Sequence, residues 1–155
     1  MENLASYLNN HLAGAVGALE HLDHLGKGCQ DPELGAFLRN LRQEILVDEE
    51  TLKKLIDDLG YRESTVRKAG AWIAEKFSHV TLGQGEKMEL FLSLEALALG
   101  IIGKQKLWSA LAAAAETMPQ LRGRDYAQLE ARACAQAAQV EARRVELARG
   151  LFRAT

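Results

Sequence analysis

Proline and cysteine are scarce in this sequence, and each scarcity excludes a class of protein. Proline occurs only twice in 155 residues, at Pro32 and Pro119, which excludes a collagen-like chain. The two cysteines, Cys29 and Cys134, are too few for a disulfide framework and suit a reducing compartment. With 48% apolar and 26% charged residues, the composition is that of a globular domain rather than a disordered chain.

An excess of positive charge and a long apolar run are also missing. The net charge of -2 argues against a nucleic-acid partner, because such binding needs clustered positive charge. The longest uncharged apolar runs, such as Leu107–Ala115, fall well short of the ~18 to 20 residues that a membrane span needs. The first ten residues do not read as a signal peptide. We therefore expect a cytoplasmic protein without a membrane partner.

Alanine, leucine, glutamate and arginine recur throughout, and apolar residues return every three or four positions. This spacing predicts four long helices, at about 2–26, 32–59, 86–117 and 125–152. Asp31 and Pro32 are typical of a helix start, as is Asp125 with Gln128 three residues later. Gly26, Lys27 and Gly28 are expected to end the first helix, and Gly60 the second.

The segment 61–86 separates the two helical pairs and contains a shorter predicted helix at about 64–79. It is long enough to travel the length of a ~26-residue helix. The sequence therefore predicts one all-α domain over 1–155, an up-down-down-up four-helix bundle with a helical crossover. If 61–86 folds back locally, the bundle is a plain up-down-up-down one. The helix order and the crossover resemble the ferritin-like superfamily over essentially the whole chain.

This resemblance implies a site for two iron or manganese ions, but the ligand motifs are incomplete. Ferritin-like enzymes carry a Glu-x-x-His pair on each of two helices. Here Glu44 is followed at that spacing by Val47, while Glu130 and Glu141 are followed by Ala133 and Arg144. Neither pair is present, so we predict a degenerate site, with no resident metal and no catalytic residue.

Five polar residues nevertheless fall on or beside the apolar helix faces: His11, Glu44, Asp48, Gln105 and Arg144. Because a buried charge is costly unless it is paired, these side chains should find partners. One interpretation is a polar layer that fixes helix register, with His11 against Asp48 and Arg144 against a carboxylate. The other is an unorthodox ligand site. A separate group, Glu20, His21, Asp23 and His24, suits a metal but is more simply explained as a solvated face.

Three functions follow. The first is a non-enzymatic scaffold or interaction module, a homodimer that uses the crossover or the second apolar side of the third helix, which carries Leu92, Leu99 and Ile102. The alternative is a carboxylate-bridged di-iron or di-manganese oxidoreductase or iron-handling protein, with ligands drawn from His11, Glu44, Asp48, Glu95 and Glu141. The third is a small-molecule pocket lined by Gln105, Trp108 and Arg144, in which the arginine would bind an anion.

Overall fold

The computed structural model describes residues 2–62 and 85–153, and this part of the chain is entirely helical. It contains four α-helices: α1 at Glu2–Gly28, α2 at Pro32–Asp58, α3 at Glu86–Ala114 and α4 at Tyr126–Leu151. A 3₁₀ helix at Pro119–Leu121 lies between α3 and α4. The predicted all-α class is confirmed. The chain divides into two compact units, one with α1 and α2 and the other with α3 and α4.

In the first unit, α1 and α2 form a hairpin with a three-residue connection, 29–31. Asp31 is the N-cap of α2: its Oδ1 accepts hydrogen bonds from the backbone N–H of Glu33 at 2.9 Å and of Leu34 at 3.3 Å. Pro32 stands at the first helical position, where no intrahelical N–H bond is lost. The start of α2 predicted from these residues is therefore confirmed.

The two predicted helix ends differ in their geometry. Gly60 has a φ of 71°, and the backbone N–H groups of Gly60 and Tyr61 donate to the carbonyls of Asp57 and Ile56. This is the Schellman arrangement, which needs a residue in the left-handed region. Gly26 instead stays helical, and α1 continues to Gly28. A helical glycine costs only about 1 kcal/mol relative to alanine, so it weakens the last turn without ending it.

Contacts at both ends of the hairpin show that α1 and α2 run antiparallel. Arg42 pairs with Asp23 near the connection, with Nε 2.6 Å from Oδ1. At the other end, Nδ2 of Asn9 donates to the carbonyl of Arg62 at 3.3 Å. Both helices bury leucine-rich stripes, with Leu8, Leu12 and Leu55 wholly inaccessible to solvent. Each fully buried leucine stabilises the fold by roughly 1.5–3 kcal/mol.

The second unit is a hairpin of α3 and α4. Asp125 is the N-cap of α4 and accepts from the N–H of Gln128 at 2.9 Å, which confirms the predicted start. Tyr126 is the first residue of α4, and its buried hydroxyl donates to the carbonyl of Leu121 at 2.7 Å, which holds the 3₁₀ helix against α4. At the far end, Phe91 meets Phe152 edge-to-face, with ring centroids 5.6 Å apart. The two helices are therefore antiparallel.

Helix α3 is apolar on two sides. One side is buried and comprises Phe91, Leu94, Leu97, Ala98, Ile101, Leu107, Trp108 and Leu111. The other side presents Leu99 and Ile102 to solvent, with 65% and 42% of their surface exposed. The second apolar side predicted from the sequence is therefore real.

The predicted crossover helix at 64–79 lies outside the described residues. The up-down-down-up order therefore remains a prediction, as does the ferritin-like topology that depends on it. None of the helices within 2–62 and 85–153 has both the length and the apolar character that a membrane span requires.

Candidate functional site

Arg144 is the centre of the most developed polar cluster in the second unit. Its Nε and Nη2 donate to the two carboxylate oxygens of Glu141, both at 2.7 Å. Its Nη1 donates to Oε2 of Glu95 on α3 at 3.0 Å. One guanidinium thus bridges two carboxylates from two helices. We call this group of three residues the Arg144 clamp.

The helix geometry explains why these residues meet. Glu141 and Arg144 are three residues apart, so both point from one face of α4. The Arg144 guanidinium also lies over the Phe91 ring, 5.2 Å from its centroid, which holds the charged plane against α3. A rigid fork of N–H donors matches a carboxylate at two points, which a lysine does not do. The clamp therefore ties α3 to α4 in one register.

The electrostatics of the clamp favour fixed, opposite charges. The hydrogen bonds from Arg144 lower the pKa of the Glu141 carboxyl, more than partial burial raises it. In return, Glu141 and then Glu95 hold the pKa of Arg144 above its ordinary value. The guanidinium stays protonated at every physiological pH. This group is therefore suited to structural charge neutralisation and not to proton transfer.

The position of Arg144 matters because it is three residues after Glu141. In a Glu-x-x-His motif the histidine occupies this position. The sequence also offered Glu95 and Glu141 as ligands for the di-metal alternative, and both are engaged by Arg144. These residues do not fit a metal ion, because a guanidinium repels a cation and engages three of the four carboxylate oxygens that would bind it.

Gln105 lies in a different part of the same hairpin. Its Nε2 is 3.4 Å from Oε1 of Glu130 on α4. Arg144 follows Glu130 by 14 residues, which is about 21 Å along the helix at ~1.5 Å per residue. Gln105 and Arg144 therefore contact different residues, and the pocket shared by them stays a prediction. Trp108 is 1% exposed, and its indole N–H finds no acceptor in the described part of the chain.

In the first unit, Asp48 occupies the centre of the α2 stripe and is only 2% exposed, as the periodicity predicted. Glu44, one turn earlier, is half-buried. Glu49, which follows Asp48 in the sequence, is 5% exposed, and its Oε1 pairs with Nζ of Lys53 at 2.8 Å. Helix α2 thus carries three acidic residues on or near its packed face.

His11 is half-buried on α1 and meets the Tyr7 ring edge-to-face, with centroids 4.7 Å apart. Burial lowers the pKa of His11, because the charged imidazolium loses hydration. A neutral ring packed on an aromatic neighbour is the resulting state near pH 7. The pairing of His11 with Asp48 stays a prediction.

The group at residues 20–24 differs from the expected solvated face. Glu20 and His24 are exposed, but His21 is half-buried and its Nε2 is inaccessible to solvent. Burial, with a smaller contribution from repulsion by His24, lowers the pKa of His21 to about 4. Asp23 is engaged by Arg42, which lowers the pKa of that carboxyl. This face is therefore partly packed.

Gln136 was not anticipated. It is completely buried on α4, and its Oε1 accepts a hydrogen bond from Nζ of Lys104 on α3. The signal was present, because Gln136 stands between Ala133 and Val140 in the apolar repeat of α4.

Within residues 2–62 and 85–153, no three His, Cys, Asp or Glu side chains gather closely enough to hold a metal ion. The chain matches no family model, no curated protein and no solved structure. The functional argument therefore depends on the side chains themselves.

Proposed function

We propose that this chain is a non-enzymatic helical bundle of the ferritin-like type, which acts as a scaffold or interaction module. In this proposal the di-metal site is degenerate, and the chain works by association, first of all with a second copy of itself. Two free thiols, Cys29 and Cys134, suit the reducing cytoplasm as its location.

The Arg144 clamp is the observation that carries this proposal. A ferritin-like di-metal centre uses cations to neutralise carboxylates that face one another across helices. Here a guanidinium from the chain itself pairs with both Glu95 and Glu141. The helices can then stay packed without a metal ion. The arrangement keeps the architecture of a carboxylate site and removes its capacity for oxygen chemistry.

Metal content tests the proposal directly. The protein would be produced in medium supplemented with iron and manganese, purified without an affinity tag and subjected to elemental analysis. We expect a metal-to-protomer ratio near zero in well-folded helical protein. A ratio of about two would overturn the proposal in favour of the di-iron or di-manganese alternative.

A substitution in the clamp tests the replacement of a metal by arginine. Arg144→Gln leaves Glu95 and Glu141 facing each other without a cation. We expect a lower Tm that added Mn²⁺ partly restores, whereas the wild-type Tm should not respond.

Arg149→Gln is the matched control, because Arg149 bonds Glu146 at the same three-residue spacing, at 2.7 Å, on an exposed surface. Its Tm should change little and should not respond to Mn²⁺. An equal response of the two variants would contradict the assigned role of Arg144.

A further inference from the structure

The exposed side of α3 carries a regular seam of eight residues. They alternate in steps of four and three along the helix, which is the spacing of a coiled-coil contact line. We call them the outer seam: Met88, Leu92, Glu95, Leu99, Ile102, Lys106, Ser109 and Ala113. The seam spans about 37 Å at ~1.5 Å per residue.

Every residue of the outer seam is half-buried or exposed, in contrast to the opposite side of α3. Leu99 and Ile102 at its centre have the largest exposure among its bulky apolar side chains, 65% and 42%. Between Glu95 and Lys104 the helix has no charged residue. A helix that is apolar on both sides is covered on both sides in its working state.

The outer seam is complementary to the outer seam of a second copy that runs in the opposite direction. In an antiparallel pair of α3 helices centred between Gly100 and Ile101, each seam residue meets another seam residue. Leu99 then faces Ile102 of the second copy, and Glu95 faces Lys106 of the second copy. Farther out, Leu92 faces Ser109, and Met88 faces Ala113. In an interface about a two-fold axis, each contact between two residues occurs twice, once in each direction, and this pairing meets that requirement.

The charges needed for this pairing are available. Arg144 donates to Oε2 of Glu95, and Oε1 of Glu95 takes no hydrogen bond within the described residues. The Glu95 side chain is 46% exposed. Lys106 is exposed, and its ammonium group makes no ion pair in the described part of the chain. Each end of the apolar centre therefore has an opposite charge to offer.

From this pattern we propose that two copies of the chain associate through their outer seams, with the α3 helices antiparallel about a two-fold axis. This inference rests on the proposed function, since it identifies the partner of the module as the chain itself. Leu99 and Ile102 supply the apolar contact. The two reciprocal pairs of Glu95 and Lys106 fix the direction and the register, because a parallel pair would place like charges together.

A charge exchange tests the proposal by sedimentation velocity of the full chain. We expect the wild type to be a dimer. Lys106→Glu places two glutamates opposite each other at both ends, and Glu95→Lys places two lysines there. Each variant alone should dissociate about tenfold more readily. An equimolar mixture of the two variants should recover the dimer, because only the mixed pair restores opposite charges.

Three controls separate this result from other causes. Lys87→Glu makes the same change of charge on α3 outside the seam, and it should leave the dimer intact. Leu99→Ser should weaken the dimer, whereas Val47→Ser, at an exposed position on α2, should not. Because Glu95→Lys also removes a contact of Arg144, circular dichroism would first show that this variant is helical.

Each contrary outcome overturns the proposal. A wild-type monomer up to the solubility limit excludes the dimer, and a dimer insensitive to Leu99→Ser and Lys106→Glu uses another surface. Failure of the mixture to recover the dimer excludes the antiparallel register. Metal analysis of the same samples keeps the proposals apart. A metal-free monomer refutes the seam alone, whereas about two metal ions per protomer refute the proposed function.

Discussion

His21 makes the stability of the first unit sensitive to mild acid. Its ring is half-buried on α1, and burial, followed by repulsion from His24, lowers its pKa from 6.5 to about 4. In the unfolded chain the ring takes up a proton near pH 6.5, whereas in the folded chain it resists protonation down to about pH 4. The contribution of His21 to the free energy of unfolding is therefore fully present above pH 6.5 and is lost as the pH falls toward 4.

The size of the effect follows from the two pKa values. The gap between 6.5 and about 4 corresponds to about 3 kcal/mol, at ~1.36 kcal/mol for each pH unit. Because the ring is only partly buried, solvent screening reduces the expected loss to about 1–2 kcal/mol. Asp23 and Glu141, which pair with Arg42 and Arg144, have lowered pKa values, so they lose their stabilising charge at more acidic pH.

Urea unfolding followed by circular dichroism, at about pH 7 and about pH 4.5, measures this loss. His21→Gln should remove about 1–2 kcal/mol of the pH dependence. His24→Gln should remove less, since burial is the larger cause. Equal pH dependence in the wild type and His21→Gln would refute the reasoning, as would a His21 ring that titrates near 6.5 by NMR.

Three backbone positions give further predictions, each measured as the free energy of urea unfolding. Asp31→Ala removes the acceptor at the start of α2 and should cost about 1 kcal/mol, whereas Asp31→Asn keeps an acceptor and should cost less. Gly60→Ala should cost about 1 kcal/mol because its φ is 71°. Gly26→Ala should instead stabilise by about 0.4–1 kcal/mol, since the residue is helical and has open space around it. If both alanines act in the same direction, the assigned difference between these glycines is wrong.

Much of the local structure follows directly from the sequence. The apolar spacing predicted all four described helices, because apolar residues at every third or fourth position share one face when the segment is an α-helix. The caps at Asp31 and Asp125 and the stop at Gly60 were also predictable, since each depends on a hydrogen bond or a dihedral angle within a few residues. The end of α1 was predicted at Gly26 to Gly28 and lies at Gly28, because glycine permits a helix end without fixing its residue.

The candidate site was predictable only in part. A helical wheel drawn from the sequence indicates that Arg144 lies on a packed face and needs a carboxylate, but it does not identify which one. The choice of Glu95 and Glu141 depends on the register of the hairpin, which rotamers and ring packing on Phe91 decide. The helical wheel also placed Gln105 and Arg144 on the packed faces of their helices. It gives no information on how far apart the two residues lie along the hairpin.

The sequence by itself determined the helices, their ends and the absence of Glu-x-x-His motifs, because each is a matter of residue type and local spacing. Only the tertiary structure decided which charges meet. It assigned one guanidinium to two carboxylates, buried Gln136 against Lys104 and left one side of α3 exposed. The pairings between helices, Arg144 with Glu95 and Gln136 with Lys104, join residues 49 and 32 positions apart, so they depend on how the helices pack and not on any local pattern.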